Sequence, residues 1–519
     1  MRKQNAIRNI IVAILLNVIN ILVGFISQKI FVEILGQIYL GINGLFSNII
    51  SMLSIADLGL GTAIIYNLYK PIAEDNRKKI SILMNFYKKS YRIIAVIILL
   101  LGLAIMPFLT TIVSANDVAL VECNIYIIFA LFLVDTVCSY LLTYKRSMLY
   151  ANQKNYIINL VHIGYVLVMN ILQIIILMTT HNYYLYLMIK IVCRIIENII
   201  ITYIVNKKYE YLKGKINEKL DAETKLDISR RLKASIFHNV GGFLVLGTDN
   251  IIISKFIGIA TVGLYSNYYL IINTVNNLLA QFFTSITASL GNLLVEKNTE
   301  LAYEFSRKCM FANFWIYTFA TICIFEIINP FISVWLGKDY LFDTLTVFVL
   351  SMNFYFQGMR RNMQLFADAA GICYENRYVP IAEAVVNIVA SIILVKLIGL
   401  PGVFIGTILS SLVLHCYSYP KYIYSRLLKQ KKSIYILNNL KYLVIMLLLL
   451  IITTLIVQAI NLENIMLQII VNLLICILVP NIILFIIYRK SDNFIYFFDI
   501  IKQIFRKINA RRRKKCYKN

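Results

Sequence analysis

The sequence predicts an all-α integral membrane protein with about fourteen transmembrane helices. Three observations support this fold class: the composition, the length of the apolar runs and the placement of the basic residues. The chain has 519 residues, of which 60% are hydrophobic and 15% are charged, and its mean hydropathy is +0.74. A soluble core stops growing at about 250–300 residues, so this much apolar surface requires lipid as its solvent.

Apolar runs of the length that crosses the hydrocarbon core, about 20 residues, recur along the whole chain. They lie at 10–32, 40–66, 91–113, 118–142, 157–179, 182–205, 234–256, 262–290, 310–330, 342–366, 378–398, 402–424, 441–460 and 465–488. No small-residue cleavage site follows the first run, so we expect a first membrane span rather than a removed signal peptide.

The basic residues predict the orientation, because loops rich in Lys and Arg stay in the cytoplasm. With a cytoplasmic N-terminus, all but six of the 51 Lys and Arg residues fall on the cytoplasmic side. The exceptions are Lys29, Lys190, Arg194, Lys255, Lys338 and Lys396. We therefore expect a multi-pass protein of the bacterial plasma membrane with both termini in the cytoplasm. The net charge of +25 then indicates topology and attraction to anionic membrane lipids, not a nucleic-acid partner.

The C-terminal segment combines apolar residues at helical spacing with a basic run. The apolar positions are Phe494, Phe497, Phe498, Ile501, Ile504, Phe505 and Ile508, and the run is Arg511–Lys515. This pattern is typical of an amphipathic helix on the inner membrane surface. The alternative is a solvated basic tail.

An internal repeat divides the apolar runs. Residues 34–41 and 256–263 share the pattern apolar-apolar-Gly-x-x-x-x-Gly, with Gly36 and Gly258 separated by 222 positions. Two further matches pair Tyr156 with Tyr378, again 222 positions apart, and Arg146–Met148 with Arg361–Met363, which are 215 positions apart. An offset near 222 maps span 1 onto span 7 in the same orientation, which predicts a parallel repeat of two six-helix bundles around a central cavity.

The repeat and the charges together predict five segments. They are an N-terminal bundle at 1–205, a basic cytoplasmic linker at 206–233, a C-terminal bundle at 234–424, two extra helices at 425–488 and the basic amphipathic tail at 489–519.

Three stretches resemble the multidrug/oligosaccharidyl-lipid/polysaccharide exporter superfamily, and within it the Wzx-type polysaccharide flippases. They are Phe31–Gly41, Ala56–Ala63 and Gly247–Gly258. The resemblance implies a flippase that moves undecaprenyl-pyrophosphate-linked oligosaccharide from the inner to the outer leaflet. It also implies alternating access driven by a proton or sodium gradient, with no cofactor and no enzymatic activity. Related lipid II flippases hold pyrophosphate with arginines in the first two spans, where this sequence has only Lys29.

Charged residues in mid-membrane cost about 2.5–3.5 kcal/mol each on the insertion scale, so each one calls for a function or a partner. Lys190, Arg194 and Glu197 lie on one face of span 6, and we assign the two bases to the anionic headgroup. The alternative is an Arg194–Glu197 pair within the helix, with Lys190 extending outward. The other candidate headgroup ligands are Lys29, Arg146, Arg360 and Arg361, of which the three arginines are equally explained by topology.

Amides and tyrosines in span 8 form a polar stripe suited to sugar hydroxyls. The candidates are Asn267, Tyr268, Asn273, Asn277 and Gln281. The same residue types also hydrogen-bond neighbouring helices, which is the alternative role.

Four acids within or at the ends of spans are candidates for the coupling ion: Asp57, Asp135, Asp249 and Glu383. A structural hydrogen bond between helices is the alternative for each, and for Asp57 so is a pair with Lys70.

Other function classes fit the sequence less well. A multidrug exporter of the same superfamily is the closest alternative, although such exporters typically have twelve spans. A membrane-embedded glycan polymerase is less consistent with the short outer loops. The histidines His162, His181, His238 and His415 have neither catalytic nor metal-binding spacing, and the nine cysteines form no disulfide framework. We predict no catalytic site and no metal site.

Overall fold

The computed structural model describes residues 2–54, 60–214, 218, 220–230, 232, 247–284, 290, 298–370, 372, 378–460, 462–499 and 502. Within these residues the chain forms helices and connecting turns, with no β-strand. The predicted all-α fold class is therefore confirmed.

The helices follow the predicted apolar runs. Their bounds are α1 Arg2–Leu53, α2 Leu60–Ala73, α3 Arg77–Ile105, α4 Ile125–Ala151, α5 Asn155–Thr180, α6 Tyr183–Lys208, α7 Asp249–Phe256, α8 Ile259–Thr284, α9 Thr299–Trp335, α10 Thr344–Ala370, α11 Val379–Ile398, α12 Leu400–Leu412, α13 Lys432–Ala459 and α14 Ile465–Tyr488. A π-helix, Val413–Leu427, continues α12. In the described part of the chain, nine helical segments have the length and composition to cross a membrane. The chain is a multi-pass membrane protein, and the count of about fourteen spans stays a prediction.

Helix α1 covers the first predicted span and most of the second. The two parts meet at a kink at Gly36, whose φ of 81° and ψ of 177° are not helical. A positive φ is accessible to glycine at little energetic cost, so the kink falls where the sequence allows it. The predicted span at 234–256 is described only from residue 247.

Asparagine starts many of the helices. Asn76, Asn124, Asn182, Asn298 and Asn464 each accept a hydrogen bond from a backbone N–H in the first turn of the helix that follows. Asparagine is a preferred N-cap because its side-chain oxygen satisfies a donor that the helix leaves free. These caps define where the helices begin.

The chain divides into two compact units. Unit 1 comprises Met1–Tyr269 and Pro380–Gly406, and unit 2 comprises Leu270–Val379 and Thr407–Asn519. These boundaries differ from those predicted for the two six-helix bundles, which stay a prediction.

The repeated glycine motif forms a reciprocal contact inside unit 1. A Cβ atom on Gly41 would lie 2.0 Å from the backbone oxygen of Ile259, and one on Gly263 would lie 2.0 Å from that of Gln37. The first glycines of both motifs, Gly36 and Gly258, also share a positive φ. Equivalent residues of a two-fold repeat contact each other in this reciprocal way. The pairing supports the repeat inferred from the sequence.

Acids of the linker contact the start of α3 in unit 1. Glu218 lies 2.8 Å from Lys78, and Asp221 lies 3.7 Å from Lys79. Asp221 also accepts hydrogen bonds from the hydroxyl and backbone N–H of Thr224, which lower the pKa of its carboxyl. The described part of the predicted linker is therefore attached to the bundle it follows.

In unit 2, helix α9 packs against α10, α13 and α14. The ring of Phe314 stacks on Tyr442 with 4.2 Å between centroids. Nδ1 of His415, in the π-helix, lies 3.0 Å from the hydroxyl of Tyr435 on α13. Aromatic packing thus joins the two predicted extra helices, α13 and α14, to the rest of this unit.

Candidate functional site

Glu197 is the meeting point of three helices in unit 1. Its side chain is fully buried on α6. One carboxylate oxygen lies 3.1 Å from Nη2 of Arg146 on α4 and 2.9 Å from Nδ1 of His162 on α5. The other lies 3.2 Å from Nη1 of Arg194, one turn earlier on α6. A buried carboxylate needs such partners, because unpaired charge is costly away from water.

Asp135 on α4 extends the cluster. One of its oxygens lies 3.2 Å from Nζ of Lys190, and the other lies 3.7 Å from Nε of Arg194. Arg194 therefore stands between two acids. The order of contacts is Arg146, Glu197, Arg194, Asp135 and Lys190, with signs that alternate along the row. We call these five residues the charge ladder.

The charge ladder runs along the helices. Eleven positions separate Asp135 from Arg146 on α4, which corresponds to about 16 Å at 1.5 Å per residue. The hydrocarbon core of a bilayer is about 30 Å thick. The ladder therefore places charges over roughly half of the depth that a spanning helix crosses.

The acids and the bases of the ladder differ in accessibility. The side chains of Glu197 and Asp135 are 0% and 11% exposed, whereas those of Arg146, Arg194 and Lys190 are 19%, 21% and 28% exposed. The carboxylates are thus more deeply buried than the bases that they contact. The exposed part of the charge ladder is mainly basic.

Aromatic rings and an amide orient the bases. Lys190 lies 5.1 Å from the ring centroid of Phe132, and the Arg194 guanidinium lies 4.5 Å from that of Tyr165. Arg146 also donates a 3.0 Å hydrogen bond to the buried Asn198. Cation–π contacts of this kind stabilise a base without neutralising it.

The ladder retains unused hydrogen-bonding capacity. The Nε atoms of Arg146 and Arg194 and Oδ1 of Asp135 are buried without a hydrogen-bond partner in the described structure. The three Lys and Arg side chains face two carboxylates, so positive charges outnumber negative ones in the ladder. Buried N–H groups without acceptors are unfavourable, and an added anion would satisfy them.

Three of the six predicted headgroup residues meet in the ladder: Lys190, Arg194 and Arg146. The predicted alternative is partly correct, because the Arg194–Glu197 pair exists, but Lys190 contacts Asp135 instead of extending outward. The remaining three lie elsewhere. Lys29 makes an exposed 3.8 Å pair with Glu33 on α1, Arg361 donates to Asn276 in unit 2, and Arg360 lies beside it on α10.

The predicted ion-coupling acids occupy two places in unit 1. Asp135 is part of the ladder. Asp249 and Glu383 are both buried, on α7 and α11. These two helices are joined by a 3.2 Å hydrogen bond from Thr248 to Asn387. Asp57 lies outside the described residues.

The predicted sugar-contacting stripe is divided between the units. Asn267 and Tyr268 are completely buried in unit 1, where Asn267 accepts a 2.6 Å hydrogen bond from Gln28 on α1. Asn273 is half-buried, and Asn277 and Gln281 are exposed, in unit 2. For Asn267 the alternative interhelical role is therefore observed.

Two residues of the site, Glu197 and His162, were not among the predicted site residues. The sequence indicates Glu197 only as an alternative partner of Arg194 on the same helix face, and that shared face was the available signal for it. His162 has no neighbour at metal or catalytic spacing in the sequence. In the part of the chain that the structure describes, no group of His, Cys, Asp or Glu has the arrangement to hold a metal ion.

Solved structures show which fold this is. A lipid II flippase, MurJ, in an inward closed conformation has a TM-score of 0.63 at 13% identity, covering 93% of this chain and 99% of that one. An inward-facing multidrug resistance MATE transporter of the MOP superfamily has a TM-score of 0.57 at 14% identity, covering 76% and 91%. The Vibrio cholerae MATE transporter VcmN in its bent form gives 0.51 at 14% identity, covering 84% and 99%.

At these identities the likeness shows the fold alone, which this chain shares with these three solved structures. No protein-family model and no curated protein sequence matches the chain.

Proposed function

We propose that this protein is a flippase that moves a lipid-linked oligosaccharide with an anionic pyrophosphate headgroup across the bacterial plasma membrane. The observation that carries the proposal is the charge ladder, in which partly exposed bases are paired with buried acids. The fold, which a lipid II flippase and multidrug exporters also have, supports a transporter. Undecaprenyl pyrophosphate is the expected lipid carrier.

The bases of the ladder would receive the headgroup. The three bases follow one another along the helices, in the order Arg146, Arg194 and Lys190. The pyrophosphate could therefore pass from one base to the next and keep a positive partner at each step. The buried Nε donors of the two arginines provide hydrogen bonds that the protein itself does not use. Arginine binds phosphate oxygens through two parallel N–H groups, which also orients the headgroup.

The acids would release the bases in turn. Asp135 contacts Lys190 and Arg194 in this structure, and the longer of these contacts, 3.7 Å, is beyond hydrogen-bond length. A proton or a sodium ion on Asp135 would neutralise it and free both bases for the headgroup. We therefore propose Asp135 as the first coupling residue, with Asp57, Asp249 and Glu383 as the other candidates.

A multidrug exporter is the competing function. The fold is compatible with it, since MATE transporters share it. The charge ladder favours an anion, because its excess positive charge and its accessible bases repel cationic drugs.

A deletion strain separates the two functions. We expect lipid-linked oligosaccharide to accumulate on the inner leaflet when the gene is deleted, and the accumulation to disappear when the wild-type gene is restored. The same strains are compared for efflux of cationic dyes. Normal leaflet distribution together with a loss of dye efflux would favour the exporter and contradict the flippase.

A further inference from the structure

A second site with unpaired bases lies in the described part of unit 2. It is a cavity of about 380 Å³ between the start of α9, the first half of α13 and the residues that follow α14. These three chain segments all belong to loops or helix ends that the charge pattern places on the cytoplasmic side. The cavity therefore opens where inner-leaflet headgroups would be found.

Two bases line the cavity, and no acid does. Arg307 comes from α9 and Lys441 from α13. Among the described residues neither is in an ion pair, whereas the neighbouring Lys308 pairs with Glu304 at 3.4 Å. Asp492 is adjacent to the wall in sequence, but it is exposed and is not part of the lining. Two unneutralised bases facing one small cavity favour an anionic occupant.

Polar and aromatic side chains complete the wall. Asn438 and Asn493 supply amide groups that make no hydrogen bond within the described part of the chain. The rings of Tyr303, Tyr442 and Tyr488 form the sides, and Nζ of Lys441 lies 5.8 Å from the centroid of the Tyr488 ring. Amide N–H and tyrosine O–H groups are donors for phosphate oxygens, while the rings can contact a glycerol backbone.

The size of the cavity narrows the choice of occupant. Ligand pockets range from about 300 to 1,000 Å³, so this one suits a headgroup and not an oligosaccharide. Basic pockets between transmembrane helices on the cytoplasmic side are typical binding sites for anionic lipids. Met310 and Ile434 add an apolar part to the lining. These features match the phosphate, glycerol and first acyl carbons of a phospholipid.

We propose that this cavity binds the phosphate of an anionic inner-leaflet phospholipid, held by Arg307 and Lys441. The bound lipid would join α9, α13 and α14 at their cytoplasmic ends. This assigns a binding role to the two predicted extra helices, and it is independent of what the charge ladder transports.

The test measures lipid binding to the purified full-length protein in a neutral detergent by native mass spectrometry. The probes are phosphatidylglycerol, zwitterionic phosphatidylcholine and water-soluble glycerol 3-phosphate. Arg307→Gln and Lys441→Gln should each weaken phosphatidylglycerol binding by about tenfold, since each removes one charge-assisted contact. Lys432→Gln, an exposed base on α13 outside the cavity, is the matched control and should bind like wild type.

Two measurements keep the result interpretable. The lipid-free variants should unfold at the same temperature as wild type, and Arg307→Lys should retain binding because it keeps the charge. Equal binding of phosphatidylglycerol by wild type and both Gln variants would overturn the proposal. So would equal binding of phosphatidylcholine. Displacement of the lipid by glycerol 3-phosphate at equal concentration would show that the site takes a free phosphate instead.

Discussion

The ammonium group of Lys190 lies 3.2 Å from the carboxylate of Asp135 on the neighbouring helix. The sequence predicts that Lys190 binds the substrate headgroup and that Asp135 binds the coupling ion. Their contact joins the two roles, because a cation on Asp135 and an anion on Lys190 would both break the same pair. The contact should also couple the two residues in the free energy of unfolding.

Asp135→Asn and Lys190→Gln should not be additive in their effect on the free energy of unfolding. Contacting charges inside a bundle typically show a coupling of about 1–3 kcal/mol in a double-mutant cycle. The cycle is measured by denaturant titration of the purified protein. The control is Glu33→Gln with Lys29→Gln, an exposed pair on α1 for which we expect at most about 0.5 kcal/mol. Additive effects at Asp135 and Lys190 would show that the two residues do not interact.

Glu197→Gln should destabilise the protein more than Asp135→Asn, the corresponding change at the other acid of the ladder. It removes the buried negative charge that Arg146, Arg194 and His162 share, and it replaces one of the two acceptor oxygens with an amide NH₂. Removing one partner of a buried ion pair costs about 3–5 kcal/mol of unfolding free energy.

Glu304→Gln serves as the control for Glu197→Gln, because Glu304 is 54% exposed and, among the described residues, its carboxylate pairs only with Lys308. Its effect should stay below about 1 kcal/mol. The comparison uses the same denaturant titration. If both variants lose the same small amount of stability, Glu197 is not the centre of a buried network.

Gly41→Ala and Gly263→Ala should both destabilise unit 1. Each new Cβ atom would overlap a backbone oxygen of the opposing segment at 2.0 Å, and a backbone cannot move aside as a flexible side chain can. Overpacking of this kind typically costs about 1–3 kcal/mol. Thermal unfolding of the purified variants measures the loss.

Gly164→Ala is the matched control for these glycines. It lies inside α5, and a Cβ there meets nothing within 4 Å, so the change should be neutral or stabilising by up to about 1 kcal/mol through helix propensity. A tolerated alanine at both Gly41 and Gly263 would contradict the close helix contact and weaken the inferred repeat.

Much of the fold could be predicted from the sequence because a lipid environment restricts the length and the composition of the segments that cross it. Apolar length predicted where helices such as α5 and α6 lie, since backbone groups in hydrocarbon must be satisfied within the helix. Glycine spacing indicated the repeat, and Gly41 and Gly263 meet as equivalent residues would. The kink at Gly36 lies in the link between the predicted spans at 10–32 and 40–66, so the sequence indicated where the helix is interrupted but not that helical backbone continues up to Gly36 from both sides.

The candidate site was predicted less completely. Lys190, Arg194 and Arg146 were recognised as bases that need a partner. Their assembly with Asp135 and Glu197 depends on how α4, α5 and α6 pack, and the periodicity of one helix does not specify the rotation of its neighbours. His162 is 35 residues from Glu197 on a different helix, so no local spacing could reveal their contact.

The bases of the charge ladder are proposed to carry an anionic lipid-linked glycan across the membrane. This role is tested most directly by leaflet-resolved labelling of undecaprenyl-pyrophosphate-linked oligosaccharide in proteoliposomes. Wild type and Lys432→Gln, a change in an exposed base of α13 outside the ladder, should move the lipid to the opposite leaflet.

The Lys190→Gln/Arg194→Gln double variant should be indistinguishable from protein-free vesicles, since loss of two charge-assisted contacts weakens binding by about 100-fold or more. An unchanged leaflet distribution with the wild-type protein would contradict the flippase. Full transport by the double variant would contradict the role of the ladder.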